Sequence, residues 1–401
     1  MKKREWREMV VLPWLTLNER VTFNGIEFHP CARRKTPDRF KPYRTIIRNI
    51  ISGYSVDTWS GVAVSGKDSC SETTVAEFAR ILDAVNALAV CSISTNRFYE
   101  QIGENFNSSY FEVHTRRFDH ADPEWRADQY RKREWPGGVA GLAKCTNAHL
   151  NGERPPASWR KRNERRFTVP FHVQLGNVCR FDDKGLLTAI EKAYRRADSF
   201  SRRLTSAINL FNEANTCRDT VREEWEIVLM ASAIEHLLGA NGNEKVGERV
   251  GHYFGTYSKV TAGCSKRATD LKYKNERRKK VEFSWSLAQK WTQELYVLRS
   301  NYIHGADVMK LKWGWSRQEH LVMGAYFFPL LIKAMLAHDG LYTMTDGDGI
   351  ACELVDVLLN ERDWGTRVRW YHTRWRQVVI EYSRDRRSQL RRQKISLDLG
   401  W

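Results

Sequence analysis

Apolar positions recur every second residue in much of the first half of the chain and every third or fourth residue in the second half. The first period belongs to strands with one buried face and the second to helices, so the pattern predicts two kinds of architecture. VTFNGIEFH (21–29) alternates about Asn24-Gly25, a pair suited to the two-residue turn of a hairpin. WSGVAVSG (59–66), SYFEVHTRR (109–117) and FTVPFHVQL (167–175) are further strand-like runs. One helix interrupts them: TVAEFARILDAVNALAV (74–90) sets Val75, Phe78, Ala79, Ile81, Leu82, Val85 and Leu88 on one face. Residues 118–166 are polar and rich in Arg, Trp, Asn and Pro, and support no assignment.

From about residue 180 the pattern is helical throughout. DDKGLLTAIEKAYRRADSFSRRLTSAINLFNEAN (182–215) predicts one long helix opened by capping aspartates. REEWEIVLMASAIEHLLGANG (222–242) predicts a second, closed by Gly239, and EKVGERVGHYFGTY (244–257) a third. After a basic loop comes SWSLAQKWTQELYVLRSNYIHG (284–305), then a helix opened by the capping box Ser316-Arg-Gln-Glu319. GIACELVDVLLNER (349–362) and the arginine-laden tail after 366 complete the set. The expected fold class is therefore α+β: a β-rich domain over 1–180, then an all-helical domain over 181–401 with a basic C-terminal helix.

Composition changes this picture in two ways. A net charge of +17 raises the expectation of a polyanionic partner, nucleic acid or an anionic surface. The eight cysteines lie scattered, without CxxC or Cys/His ligand spacing. They predict reduced thiols in a cytoplasmic protein, with neither a disulfide frame nor a zinc site. MKKREWREMVVLPWL at the N-terminus has too short an apolar run for a signal peptide, broken at Pro13. LVMGAYFFPLLIKAML (321–336) contains Pro329 and Lys333 and is too short to span a bilayer, so a buried helix and no membrane partner are expected. GxGxxG, P-loop, HExxH and nucleophile-elbow patterns are absent. Asp346-Gly-Asp348 matches a calcium loop only in fragment and predicts a polar turn.

The candidate chemistry lies in LYVLRSNYIHG (295–305). Arg-x4-His alone is a poor filter, because Arg367…His372 fits it too and Arg166…His172 misses by one residue. Context separates the three. Leu295, Leu298, Tyr302 and Ile303 form an apolar stripe, Ser300, Asn301 and His304 share a face with Arg299 at its flank, and Gly305 ends the helix at the imidazole. The bland alternative is a solvated arginine and a helix-end histidine.

These residues resemble the C-terminal signature of the HEPN superfamily, and more narrowly its Apea-like branch. LMASAIEHLLGANGNEKVGERV (229–250) resembles the helical "A-x-E-x-L-L" block of the same branch, about 60 residues upstream and in the same order. The resemblance spans roughly 184–340 and implies an HEPN bundle, a homodimer with a composite cleft, and metal-independent RNA cleavage without a cofactor. His304 would then be general acid or base for attack of a ribose 2′-OH on the adjacent phosphate, with Arg299 holding that phosphate. The family often has Asn directly after the arginine; here Ser300 stands there and Asn301 follows, so either would position substrate. Glu235 matches the helical glutamate of the family, and acts either on Arg299 or in an ion pair with Arg249 or Arg299 that fixes packing. His236, turned about 100° away, is expected at the surface or in packing.

The expected partner is RNA, tRNA or mRNA, bound in part by Lys272, Lys274, Arg277, Arg278, Lys279 and Lys280 in the loop before the motif helix, with Tyr296 beside the pair. WRADQYRKREW, SWRKRNERRF and the tail RDRRSQLRRQK are weaker candidates, since charge runs are usually solvated faces. The branch suggests a prokaryotic anti-phage effector answering a phage-derived trigger. Two rivals stand beside this: a non-catalytic RNA- or nucleotide-binding module, and a scaffold whose bundle only dimerises.

Overall fold

A computed structural model describes residues 6–12, 15–32, 58–65, 75–95, 98–99, 179–215, 223–240, 242–265, 267, 284–305, 313–369 and 372–398. These residues are mostly helical, with nine α-helices and a few short strands. The strand-like runs 109–117 and 167–175 lie outside them. The chain divides into two compact units, and not at a single point: the first takes in Met1–Leu88, Ser109–Phe181 and Thr216–Thr220, the second Ala89–Ser108, Asp182–Asn215 and Val221–Trp401.

In the first unit, β1 (Trp6–Leu12), β3 (Val21–Phe23), β4 (Ile26–Ala32) and β5 (Thr58–Ser65) form an antiparallel sheet in the order β1-β5-β4-β3. The β3–β4 hairpin turns at Asn24-Gly25, both with positive φ (46° and 78°), as the sequence pair suggests. Val21, Phe23, Ile26 and Phe28 are buried while Thr22 is exposed, so period-two alternation gives the sheet one apolar face. β2 (Leu15–Thr16) pairs in parallel with β6 (Cys179–Arg180), two segments more than 160 residues apart that the alternation does not connect. Helix α1 (Val75–Ser92) starts in this unit and ends in the other.

The second unit is built from α2 (Lys184–Arg195), α3 (Ser199–Ala214), α4 (Glu223–Leu238), α5 (Asn243–Phe254), α6 (Leu287–Ile303), α7 (Arg317–His338), α8 (Asp346–Asn360), the two-stranded β7 (Arg367–Arg369) with β8 (His372–Thr373), and α9 (Arg374–Asp398). The long helix expected over 182–215 is two helices. Ala197 takes a left-handed conformation (φ 53°), and Asp198 caps a fresh helix by accepting from Ser201 N. The Arg367…His372 stretch lies in the short β7–β8 pair rather than in a helix.

Helix α7 is buried on all sides from Glu319 to Leu336, which its unbroken apolar sequence requires. Among the described residues it is the one helix long and apolar enough to cross a membrane, and 94% of that stretch is buried inside the protein. Aromatic contacts fix its neighbours: Phe328 stacks on Phe211 of α3 at 4.3 Å, and Phe327 meets Phe254 of α5 and Trp291 of α6 edge-on. Pro329 has no N–H to give, so the carbonyl four residues earlier, Ala325 O, lacks its helical donor. The hydroxyl of Tyr99 donates to that oxygen at 2.8 Å. Tyr99→Phe leaves the buried carbonyl unfilled and is expected to destabilise the protein by about 1–3 kcal/mol in urea unfolding.

The other polar feature of α7 is Lys333, 1% exposed, whose ammonium lies 2.7 Å from Asp183 Oδ2 and contacts Asp348 Oδ1 while donating to Ser94 O at 2.9 Å. Each carboxylate is itself used. Asp183 caps α2 and accepts from Ser94 Oγ; Asp348 accepts from Tyr342 Oη and from Thr345, whose hydroxyl caps α8. Burial alone works against both charges, but the carboxylates raise the Lys333 pKa and Lys333 with Thr345 lowers that of Asp348, so both stay ionised. Asp346-Gly347-Asp348 is thus the first turn of a helix, rather than a loop of its own.

Candidate functional site

Helix α6 is anchored before its functional residues are reached. Ser286 and Gln289 form a capping box, and Gln289 Nε2 donates to Gly247 O at 3.1 Å on α5. A methyl group at Gly247 would lie 2.6 Å from Trp285, and one at Gly251 would overlap the Gln289 amide, so two glycines a turn apart let α6 lie this close to α5. Midway, the buried carboxylate of Glu294 accepts from Gly314 N and Trp315 N at 3.0 Å and meets His320 Nε2 at 3.2 Å, which ties α6 to the start of α7. Leu287, Ala288, Trp291, Leu295 and Leu298 are buried beneath.

The last turns of this anchored helix carry the expected pair. His304 is the C-cap: its N–H donates to Ser300 O at 3.1 Å, and Gly305 follows with φ +67°, a conformation that suits glycine and stops the helix. The imidazole is exposed, and no hydrogen bond among the described residues fixes its orientation. Arg299 is held on two sides. Its Nη2 lies 3.5 Å from Glu235 Oε2 of α4, and its guanidinium sits 5.5 Å over the ring of Tyr296, one turn earlier. Its Nε is buried and has no hydrogen-bond partner among the described residues. The side chain as a whole is 25% exposed, so the accessible part of the guanidinium is not the buried Nε.

The structure therefore brings Glu235, Tyr296 and Arg299 together and sets Ser300, Asn301 and His304 on the turns that follow. Ser300 is half-buried, and Asn301 uses its amide on its own helix, donating to Val297 O at 2.9 Å. Glu235 meets Arg299, while Arg249 is exposed. His236 is exposed and packs α4 on α3 through Ser206 Oγ, 3.1 Å from its Nδ1. Lys272, Lys274, Arg277, Arg278, Lys279 and Lys280 lie outside the described residues, as do the basic runs at 125–135 and 158–167. Among the described residues no group of three or more His, Cys, Asp or Glu side chains could hold a metal ion.

One part of the neighbourhood is not legible in the motif. Arg317, at the start of α7, pairs with Glu224 at the start of α4 (2.9 Å). Both act on Tyr302, whose pKa is pushed up, chiefly by burial, with Arg317 pulling it the other way and Glu224 adding to the rise. Beside them Trp225 is 61% exposed and Ile303, next to His304, 47% exposed. The acidic first turn of α4 was visible in the sequence; its partner on α7, 93 residues away, was not.

Glu226 in that turn has its pKa raised to about 7 by burial and then by Glu223. A carboxyl whose folded pKa is raised stabilises the fold fully below its unfolded pKa, and that contribution is lost as pH rises through about 7. Glu226→Gln should therefore unfold at higher urea than the parent at pH 8 and at nearly equal urea at pH 4.5.

Compared with known proteins, the chain matches no family model, no curated protein and no solved structure.

Proposed function

We propose that this chain is a metal-independent endoribonuclease of the HEPN type, in which the helical unit is the HEPN bundle and the β-rich N-terminal region selects RNA or restrains the enzyme. One observation carries the reading. Arg299 is braced by Glu235 and Tyr296 and is partly exposed, on the same helix end that presents the exposed His304. A braced guanidinium supplies charge where a phosphate becomes more negative, and an accessible imidazole can move the proton that transesterification requires. The ribose 2′-OH loses its proton to a general base and attacks phosphorus; the 5′-oxygen leaves and takes a proton. The product ends are a 2′,3′-cyclic phosphate and a 5′-hydroxyl.

One imidazole cannot be base and acid in the same step. A second copy of the chain supplies the other, and the exposed Trp225 and Ile303 near the pair provide apolar surface for that contact. Glu235 acts as a positioning residue, Ser300 and Asn301 as neighbours of the phosphate, and the basic loop 272–280 as its approach. The cellular setting in this reading is the cytoplasm, with tRNA or mRNA cut in an anti-phage growth arrest released by a phage-derived trigger.

The second reading is a phosphate-binding module without catalysis, favoured by the lack of any group among the described residues that orients the His304 imidazole. Incubating RNA with the full-length protein in EDTA, and then with His304→Ala, separates the two. Cyclic-phosphate ends from the parent alone support the enzyme. Cleavage by both proteins overturns the assignment, and binding without cleavage by either supports the module.

A further inference from the structure

The helical unit contains a second cleft, about 540 Å³ in volume, that shares no residue with the Arg299–His304 pair. That size lies within the range of roughly 300–1000 Å³ usual for small-molecule sites. Its floor is the Lys333 network, where the ammonium is already saturated by Asp183, Asp348 and Ser94 O, so Lys333 is not the cation that meets a ligand.

The cations at its wall come from α9. Arg386 makes two hydrogen bonds to Glu353 of α8, at 2.7 and 2.8 Å, and Tyr382 donates to the same carboxylate. These bonds fix the register of α9, so that the next residue, Arg387, and Arg391 one turn on both line the cleft. Arg387 is tied through Nε to Ser383 O at 2.9 Å, and Arg391 is exposed with no partner among the described residues. Asp346, in the first turn of α8, lines the same cleft and is also exposed and unpartnered among the described residues. The lining also has an apolar part, the ring of Tyr342, Leu390, and the buried Ile350 and Ala351, and a second carboxylate, Asp182.

The combination restricts the ligand. Two arginines call for an anionic group, but the carboxylates beside them disfavour a bare anion and accept hydroxyl donors instead. The apolar wall takes a flat, uncharged part. We propose that this cleft binds a nucleoside monophosphate, with the phosphate on Arg387 and Arg391, the sugar hydroxyls on Asp346, and the base against Tyr342 and Leu390. Ser94 and Asp183 belong to two of the three segments that make up the helical unit, Ala89–Ser108 and Asp182–Asn215. Occupancy would therefore stiffen these two segments against α8 and α9. The proposal does not depend on the ribonuclease reading.

Calorimetric titration of the full-length protein with AMP, GMP, CMP and UMP, and with adenosine and inorganic phosphate as fragments, tests it. At least one nucleotide is expected to bind, and more tightly than either fragment. The double substitution R387Q/R391Q should weaken it by about tenfold or more without changing the melting temperature of the free protein. Asp346→Asn should weaken the nucleotide but not inorganic phosphate. Heat from none of the four nucleotides overturns the site. So does binding that persists in R387Q/R391Q but disappears in Arg299→Ala, which would place the ligand at the other pair. RNA cleavage by R387Q/R391Q, measured in parallel, keeps the two readings separate.

Discussion

His304→Ala is expected to slow RNA cleavage by about 10²–10⁴-fold, the usual contribution of a positioned acid or base. It should leave the unfolding midpoint within about 0.5 kcal/mol of the parent, because the side chain is exposed and bonds to nothing among the described residues. Loss of activity with unchanged stability is the signature that distinguishes a reacting group from a helix cap, since the capping bond to Ser300 O comes from the backbone of residue 304 and survives in alanine. Arg299→Lys is the sharper companion. Lysine keeps the charge but loses the planar fork that can meet Glu235 and a phosphate at once, so a fall of about 10²-fold is expected. Activity kept in Arg299→Lys would assign that residue a general electrostatic role only. A single 2′-deoxy substitution at the cleaved nucleotide should abolish cutting there by the parent. Cleavage of that bond at an undiminished rate would exclude the 2′-OH as nucleophile, whatever the histidine does.

The candidate pair stands out because its signals are local: a terminal glycine, two polar side chains and an apolar stripe, buried at Leu295 and Leu298 but exposed at Ile303, all lie within eleven residues. Most of the helical unit was legible for the same reason, including the capping box at Ser316 and the stop at Gly239. What was missed depends on contacts across the chain or on one unusual dihedral angle. Nothing in the periodicity of 182–215 marks Ala197 as left-handed, because the apolar stripe continues on both sides of the break. The β2–β6 pair joins two-residue segments too short to carry a pattern. The choice of partner for Glu235 was open between two arginines, and only the packing of α4 on α6 decides for Arg299. In the sequence Lys333 argues only against a membrane span, because its two carboxylates lie 150 residues upstream and 15 downstream.

Lys333→Met is therefore expected to have the largest effect on stability, about 3–5 kcal/mol. Methionine fills much the same volume, so the loss is not chiefly a cavity. It comes from leaving Asp183 and Asp348 buried, close together and without their cation. The melting temperature should fall by roughly 6–20 °C for a unit of this size. The pH dependence identifies the cause. In the parent Asp348 has its pKa lowered, so its contribution is present above the ordinary carboxylate range and is lost as pH falls through the folded value. In Lys333→Met the same carboxyl prefers to be neutral, so the deficit relative to the parent should shrink as pH is lowered towards 4. Restoring neutrality at pH 7 with Asp183→Asn and Asp348→Asn in the methionine background should recover part of the loss, although the caps of α2 and α8 weaken slightly. A deficit that is constant with pH and unrelieved by the two amides would mean that methionine fails by shape, and that the charges are incidental to the fold.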